Sequence, residues 1–336
     1  MVQAYRLPQR RTASLYGNAG EEDALSERGL DDGSEAGEST DAPLPASLTV
    51  DAFDVRMADI ADIDLERLQA LSISVGWPHR AEDWQFAREV GHGFVALDEI
   101  DRVLGSAMWF PHGDDFATIG MVMTSPRLQS LGVGEWLMKR VLSASAGRTY
   151  RLSATRAALA LYRSLGFIGH RTVFQCQGEA RRSDQPPPAG PVRRLEAADL
   201  AAVTDLDERA FGISRAGLIA RLFDQSVGYG LERDGGLAAF ALCRPFGRGH
   251  VVGPVVAGLD EDAVAVVQPH VNEHDGRFLR LDTHLDEGIF PLFVARSGLK
   301  IHDTVLTMSL GAPLTDPSTR GSDRPVTFAL ATQALG

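Results

Sequence analysis

The residues best suited to chemistry lie between Phe116 and Phe167. An apolar, β-prone run, Phe116-Ala117-Thr118-Ile119-Gly120-Met121-Val122-Met123-Thr124, passes Ser125-Pro126 and enters Gln129-Ser130-Leu131-Gly132-Val133-Gly134, after which Glu135 to Leu142 reads as a helix. A strand that turns through glycines into a helix N-terminus aims several backbone N–H groups and the positive end of the helix dipole at one spot, which suits a diphosphate. Glycines at 132 and 134 let the chain approach such an anion without a side chain in the way. The dinucleotide fingerprint needs a third glycine where Leu137 stands, and no Gly-Lys-Ser/Thr is present, so neither of the commoner nucleotide loops fits. About thirty residues downstream, after a strand predicted over Tyr150 to Ala154, comes Ala160-Leu161-Tyr162-Arg163-Ser164-Leu165-Gly166-Phe167. Its phenol, with an ordinary pKa of about 10, can donate a proton or a hydrogen bond to a departing anion.

Taken together, these two stretches resemble the GNAT acetyltransferase superfamily. Gln129-x-x-Gly132-x-Gly134 is similar to that family's pyrophosphate loop, Pro126 stands three residues before the glutamine as it often does there, and Leu161 to Phe167 matches its Leu-Tyr-x-x-x-Gly-Phe signature. The likeness covers roughly residues 50 to 175. It implies an α/β fold with a splayed mixed sheet flanked by helices, and acetyl-CoA as co-substrate between the strands that end at Thr124 and Thr155. On this resemblance Val122, Met123 and Thr124 bond the pantetheine arm through their backbone. Gln129, Ser130, Leu131, Gly132, Val133 and Gly134 hold the diphosphate, and Tyr162 is the catalytic acid near the thioester sulfur. Two departures stand out: Thr155 occupies a place where the family often has asparagine, and no glutamate lies in the strand from Phe116 to Met123.

The acceptor side is less determined. A base must remove a proton from an ammonium before it attacks, and Glu82, Asp83, His79, His92, His112, Asp114, Asp115 or a water held by backbone carbonyls are the candidates. The segment Val75 to Trp84 follows the first helix, in the loop that overlies the acceptor end of the cofactor in the family. Trp77 and Trp84 are expected to wall a cation that Glu82 or Asp83 pairs with. The competing reading makes Glu82 and Asp83 first-turn acids of a helix and Trp84 a core residue.

With 336 residues the chain is long enough for two domains. Its net charge of −12 argues against nucleic acid as the main partner and suits a cationic or neutral small molecule. Two cysteines, Cys176 and Cys243, exclude a disulfide framework and a cysteine-rich zinc site, and point to a reducing compartment. No metal site is expected. No apolar run is long enough to span a membrane, and the first twenty residues lack the apolar core of a secretory signal, so a cytoplasmic location is expected.

Residues 1–46 end in a stretch rich in Gly, Ser, Asp and Glu, expected to be a disordered acidic tail. Residues 47–177 form the expected catalytic domain, with a strand at Phe53 and a helix from Ala58 to Leu71. Residues 178–191, with Pro186-Pro187-Pro188, read as a semi-rigid linker. Residues 192–312 repeat the first domain at an offset of 129 to 135, with Gly120 set against Gly253, Arg151 against Arg280 and Gly166 against Gly298. A near-constant offset over five segments indicates tandem duplication. The copy lacks the glycine loop, has Asp260-Glu261-Asp262 where a diphosphate would be repelled, and has Phe293 or Val294 in place of Tyr162. It therefore reads as degenerate and unable to bind CoA. Arg248, Arg280, Asp282 and His284 read as surface groups, with access to a shared acceptor cleft as the other possibility. Residues 313–336 are expected to be a tail that packs little. The function expected is acetyl transfer to a primary amine of a small molecule by direct attack, with a protein lysine or N-terminus as the rival acceptor and a non-catalytic acyl-CoA sensor as the rival class.

Overall fold

The computed structural model describes residues 45–50, 53–183, 191–312 and 324–336. Nearly all of the acidic tail and the proline run lie outside the described residues. The first half runs β1 (Ser47–Val50), β2 (Phe53–Asp59), α1 (Leu65–Ser74), α2 (Ala81–Val90), β3 (His92–Leu97), β4 (Val103–His112), β5 (Phe116–Thr124), α3 (Val133–Ala144), β6 (Thr149–Ala154), α4 (Leu159–Ser164) and β7 (Ile168–Glu179). The second runs β8 (Val192–Arg194), α5 (Leu200–Phe211), α6 (Ala216–Asp224), β9 (Val227–Arg233), β10 (Gly236–Phe246), β11 (Gly249–Ala257), α7 (Asp260–Glu273), β12 (Phe278–Thr283), α8 (Ile289–Arg296), β13 (Lys300–Leu310) and β14 (Val326–Ala329). The helix expected from Ala58 starts only at Leu65. The Asp59 carboxylate accepts the Ala61 N–H at 2.8 Å, and this local bond diverts the chain into a short 3-10 turn before α1 can begin.

One continuous sheet joins the halves, in the order β1-β2-β3-β4-β5-β6-β13-β7-β12-β11-β10-β9-β8. The halves exchange strands. β13 of the second half pairs with β6 of the first, from Leu306 opposite Ala154 to Leu310 opposite Tyr150. β7 of the first half pairs with β12 of the second, from Phe278 opposite Glu179 to Thr283 opposite Phe174, and β7 and β13 pair with each other. Gly178 and Glu179, expected in the linker, are thus the last ladder positions of β7. Local periodicity shows that a segment is a strand but not which strand it will pair with.

Helices cover both faces. On one face α3 and α4 pack Leu137, Met138, Val141 and Tyr162 onto Ile119 and Leu152 of the first half, and α7 and α8 pack similarly on the second. On the other face α1, α2, α5 and α6 share a single core that crosses the halves, in which Leu68, Trp84 and Phe86 meet Leu218, Leu222 and Phe240.

β5 and β6 are parallel but pair only from Phe116–Ile119 with Thr149–Leu152, so a gap opens between the ends of β5 and β6. The same splay occurs at β11 and β12. There, however, β14 fills the gap, with Ala329 opposite Val255, Thr327 opposite Val256 and Val326 opposite Ala257, and the Leu330 N–H donating to the Asp282 carbonyl at 2.8 Å. The segment 324–336 is therefore not the loosely packed tail expected. Its apolar run Val326 to Leu330 is buried, and Leu335 packs in the shared core.

Candidate active site

The gap between β5 and β6 is shaped by a kink in β5. Ser106 pairs with Met123 and Met108 with Gly120, so Met121 and Val122 together face the single residue Ala107. This is a β-bulge, which re-aims backbone groups. Met121 sits at φ 53, a left-handed conformation that costs a non-glycine residue about 1–2 kcal/mol, and its carbonyl is held by the Ser106 hydroxyl at 2.6 Å. The equivalent bulge on β11 falls at Gly253 and Pro254, because Ala241 pairs with Val255 and Cys243 with Val252. Gly253 thus corresponds to Met121, one place from the alignment expected, and Pro254 brings no N–H to the position of Val122.

Beyond Thr124 the chain makes a 3-10 turn, Pro126–Leu128. The loop that follows has Ser130 at φ 67 and Gly132 at φ 83, the latter capping α3. Gln129, Ser130, Leu131 and Gly132 are exposed, and Val133 turns its side chain into the core. The first N–H groups of a helix have no partner within it, so this loop presents backbone donors to solvent beside the open gap. The Gln129 side-chain amide donates to the Thr124 carbonyl at 3.3 Å, tying loop to strand. A Cβ on Gly134 would lie 3.3 Å from the Thr124 hydroxyl oxygen and 3.4 Å from Leu161, so glycine there lets α3, β5 and α4 approach closely. The residues thus fit a diphosphate at the loop and an extended arm along β5. They do not fit one in the second half, where Asp260, Glu261 and Asp262 form the first turn of α7 and a Cβ on Gly253 would lie 1.9 Å from the Leu330 carbonyl oxygen.

The gap opens into a cavity of about 290 Å³. Met121, Val122, Thr155, Ala158 and Tyr162 line it on the first half's side. Tyr162 is 4% exposed, and burial raises its phenol above the ordinary value. From the α1–α2 connection come Trp77 and His79, from the first turn of α2 Asp83, and from the second half Arg244, Phe246, Arg248 and Arg280, while Gln333, Ala334 and Leu335 complete the wall. The expected surface role of Arg280, Asp282 and His284 does not hold. Arg280 lines the cavity paired to Asp282 at 2.8 Å, Asp282 is fully buried, and His284 bonds through its ring Nδ1 to the Thr172 carbonyl at 3.0 Å.

The expected acceptor wall is redistributed. Trp84 is fully buried and donates its indole N–H to Ser72 at 3.0 Å; it belongs to the core, and only Trp77 of the pair lines the cavity. Glu82 is exposed and does not line the cavity. Asp83 does, but its carboxylate accepts from the Arg80 backbone N–H at 2.9 Å, its Nε at 3.2 Å, its Nη2 at 2.8 Å and the Gly247 N–H at 2.9 Å. Burial raises its pKa, but those bonds outweigh it and leave the carboxyl below its ordinary value. Of the other base candidates, His92 is exposed beside Trp109, and Asp114 and Asp115 are exposed in the β4–β5 turn. His112 is buried away from the cavity, with its pKa lowered to about 3 by desolvation and by the nearby charges of Arg215 and Arg151. His79 reaches the cavity with its pKa lowered to about 4, chiefly by desolvation. Burial pushes both thiols up, Cys176 to about 11 and Cys243 to about 12, so neither is a ready nucleophile.

Two models of the acetyltransferase (GNAT) domain match the sequence, one over residues 89–168 and the other over 203–320. The chain belongs to the GNAT superfamily. Among solved structures, a candidate acetyltransferase from Pyrococcus horikoshii is similar, with a TM-score of 0.68 and 17% identity over 86% of this chain and 98% of that one. A tandem GNAT protein from the clavulanic acid biosynthesis pathway gives a TM-score of 0.54 and 15% identity over 78% of this chain and 100% of that one. A GCN5-related N-acetyltransferase from Sphaerobacter thermophilus gives 0.52 and 16% over 79% and 98%. At these identities the likeness is one of fold, and it extends across both GNAT halves. No curated protein matches the sequence.

The bulge at Met121, the cavity residues contributed by the second half and the wall formed by 331–335 were beyond sequence reasoning. Of these, only the apolar run Val326-Thr327-Phe328-Ala329-Leu330 left a readable signal.

Proposed function

We propose that the first GNAT half transfers an acetyl group from acetyl-CoA to the primary amine of a small molecule by direct attack, and that the second half closes the acceptor site without binding CoA. The observation that carries this reading is the cavity itself: it begins at the bulged strand and Tyr162 and ends on side chains of the second half. A cavity of about 290 Å³ walled by both halves suits a free amine better than a lysine on a protein surface, which would need a shallow open groove.

In this reading the backbone of Val122, Met123 and Thr124 bonds the pantetheine arm as an added strand would, and Gln129 to Gly134 hold the diphosphate. Thr155, at the end of β6, adds a hydroxyl beside the arm. As the amine attacks the thioester carbonyl and the carbon–sulfur bond breaks, Tyr162 gives its phenolic proton to the leaving thiolate. Burial keeps that proton in place throughout the neutral range. The proton the amine loses passes to water and from water back to Tyr162, so that the phenol is restored. His79, neutral with its pKa lowered to about 4, can hydrogen-bond that water but is too weak a base to hold the proton. The high thiol pKa values of Cys176 and Cys243 favour direct attack over an acyl-enzyme.

The test is thiol release from acetyl-CoA with a panel of small amines and with lysine peptides. Turnover confined to small amines supports the reading. Turnover confined to peptides would replace the acceptor class, and acetyl-CoA binding without turnover on either would favour a sensor.

A further inference from the structure

Among the charged residues that line the cavity and that acetyl transfer does not use, Arg244 is the buried one with no ion pair among the described residues. Arg244, near the end of β10, is only 3% exposed and lines the cavity. Its guanidinium lies 5.1 Å from the Phe86 ring centroid and 5.1 Å from that of Phe246. Its Nε has no hydrogen-bond partner among the described residues, and Nη1 reaches the Pro245 carbonyl only at 3.5 Å, beyond the usual range.

The buried acids around it are already taken. Asp83 is saturated by Arg80 and the Gly247 N–H, and Asp282 by Arg280 and the Gln333 amide. Each buried carboxylate therefore has its own arginine, and Arg244 is left over. Two further groups of the exposed rim are His302 and Asp303, whose Oδ1 accepts from the Thr304 N–H at 2.7 Å. Desolvation lowers the Arg244 pKa to about 10, so it stays charged at neutral pH. The nearest opposite charge, Asp83, raises the pKa again only in part, since its carboxylate is already bonded to Arg80 and Gly247. A buried cation with no hydrogen-bonded carboxylate of its own is costly, and two aromatic rings offset only part of that cost. It is also unexpected in a chain whose net charge is −12. The feature that would resolve it is an anion, and the planar guanidinium matches a carboxylate best.

We infer that Arg244, with Arg280 and Arg248 lining the same cavity, forms a subsite for a carboxylate carried by the acceptor, so that the substrates are amines of the amino-acid type. This rests on the acetyl-transfer reading above. A carboxylate here could instead belong to the acyl group. The acceptor is favoured because Arg244 packs on Phe86 of α2 and on Phe246, whereas the acyl end lies at the bulge of β5 and at α4.

The experiment compares L-amino acids with the amines that share their side chains but lack the carboxylate: phenylalanine with phenethylamine, arginine with agmatine, lysine with cadaverine. It uses the full chain, as wild type, Arg244→Gln and Arg244→Lys. Thiol release gives kcat/KM, ligand-observed NMR reports binding of the same probes without acetyl-CoA, and calorimetry reports acetyl-CoA binding. In the wild type the carboxylate members should be favoured at least tenfold in kcat/KM. Arg244→Gln should erase that preference through KM and Arg244→Lys should keep part of it, with acetyl-CoA binding unchanged in both. The inference is overturned if wild type favours the decarboxylated amines or treats the pairs alike, if the preference survives Arg244→Gln, or if discrimination appears only between acetyl-CoA and succinyl-CoA. Should wild type not bind acetyl-CoA, the acetyl-transfer reading falls and the NMR arm decides alone. Carboxylate probes bound by wild type but not by Arg244→Gln would uphold the anion site, and none bound would overturn it.

Discussion

Replacing Tyr162 by phenylalanine separates its chemical role from its structural one. The ring is 4% exposed and packs against Phe167 at 5.9 Å between centroids, contacts that phenylalanine retains, so stability should change by less than about 1 kcal/mol. The hydroxyl is what is lost. Burial holds the phenol above its ordinary pKa, so from pH 7 to 9.5 it is fully protonated and serves only as a donor. Removing one preorganised donor or general acid from a closed site costs about 10²–10³ in rate, or roughly 2.7–4 kcal/mol of transition-state stabilisation. The loss should fall on kcat, leave acetyl-CoA affinity within about twofold of wild type, and keep the same wild-type-to-variant ratio across that pH range, because Tyr162 does not titrate there. Stopped-time thiol release at saturating acetyl-CoA measures it. A variant within threefold of the wild-type kcat, or a ratio that collapses between pH 8 and 9.5, would refute the argument.

Other consequences are separable from catalysis. Arg215 is buried and pairs with the equally buried Asp207 at 2.7 Å, while its Nη1 also donates to the carbonyls of Leu335 and Gly336. Arg215→Met strands the carboxylate and should cost about 3–5 kcal/mol in urea melts, and the Arg215→Met/Asp207→Leu pair should recover part of it. His112 and His270 are buried with pKa values lowered to about 3 and about 4, in both cases chiefly by desolvation. Folding therefore favours their neutral forms, and the stability this gives is complete above the unfolded value near 6.5 and is lost as pH falls. Each should cost about 2 kcal/mol between pH 6.5 and 5. A flat denaturation midpoint over that range would contradict it, and His112→Gln should remove only its own share of the loss, leaving that of His270. Gly120→Val should loosen the wall formed by 331–335, since its Cβ would stand 2.4 Å from that of Ala334; the expected sign is a loss of several kcal/mol, read by thermal unfolding.

The sequence carried the motifs, the tandem arrangement and the local elements because each is written in neighbouring residues. The glycine loop, the Leu-Tyr signature and the alternation of β5 are all short-range patterns. What was hidden is long-range. The exchange of β7 and β13 depends on partners more than a hundred residues apart, about which periodicity is silent. The bulge falls at Met121, with no glycine to mark its positive φ. Arg244 looks like a strand-end surface cation, because nothing local tells that Phe86 will cover it. Asp83 was visible as an acid near the acceptor, but its capture by Gly247 required the second half to be in place. Residues 324–336 were obscured by the polar composition of the stretch before them, although Val326 to Leu330 is apolar enough to have signalled a buried strand.

The central claim is that one GNAT half binds acetyl-CoA while the other has its cleft filled by β14. Calorimetric titration of acetyl-CoA into wild type and the Gly132→Glu/Gly134→Glu variant tests it most directly. The account predicts binding at about one equivalent per chain in wild type, abolished in the variant while the fold remains intact by circular dichroism. Two equivalents, no binding to wild type, or binding that survives in the variant would contradict it.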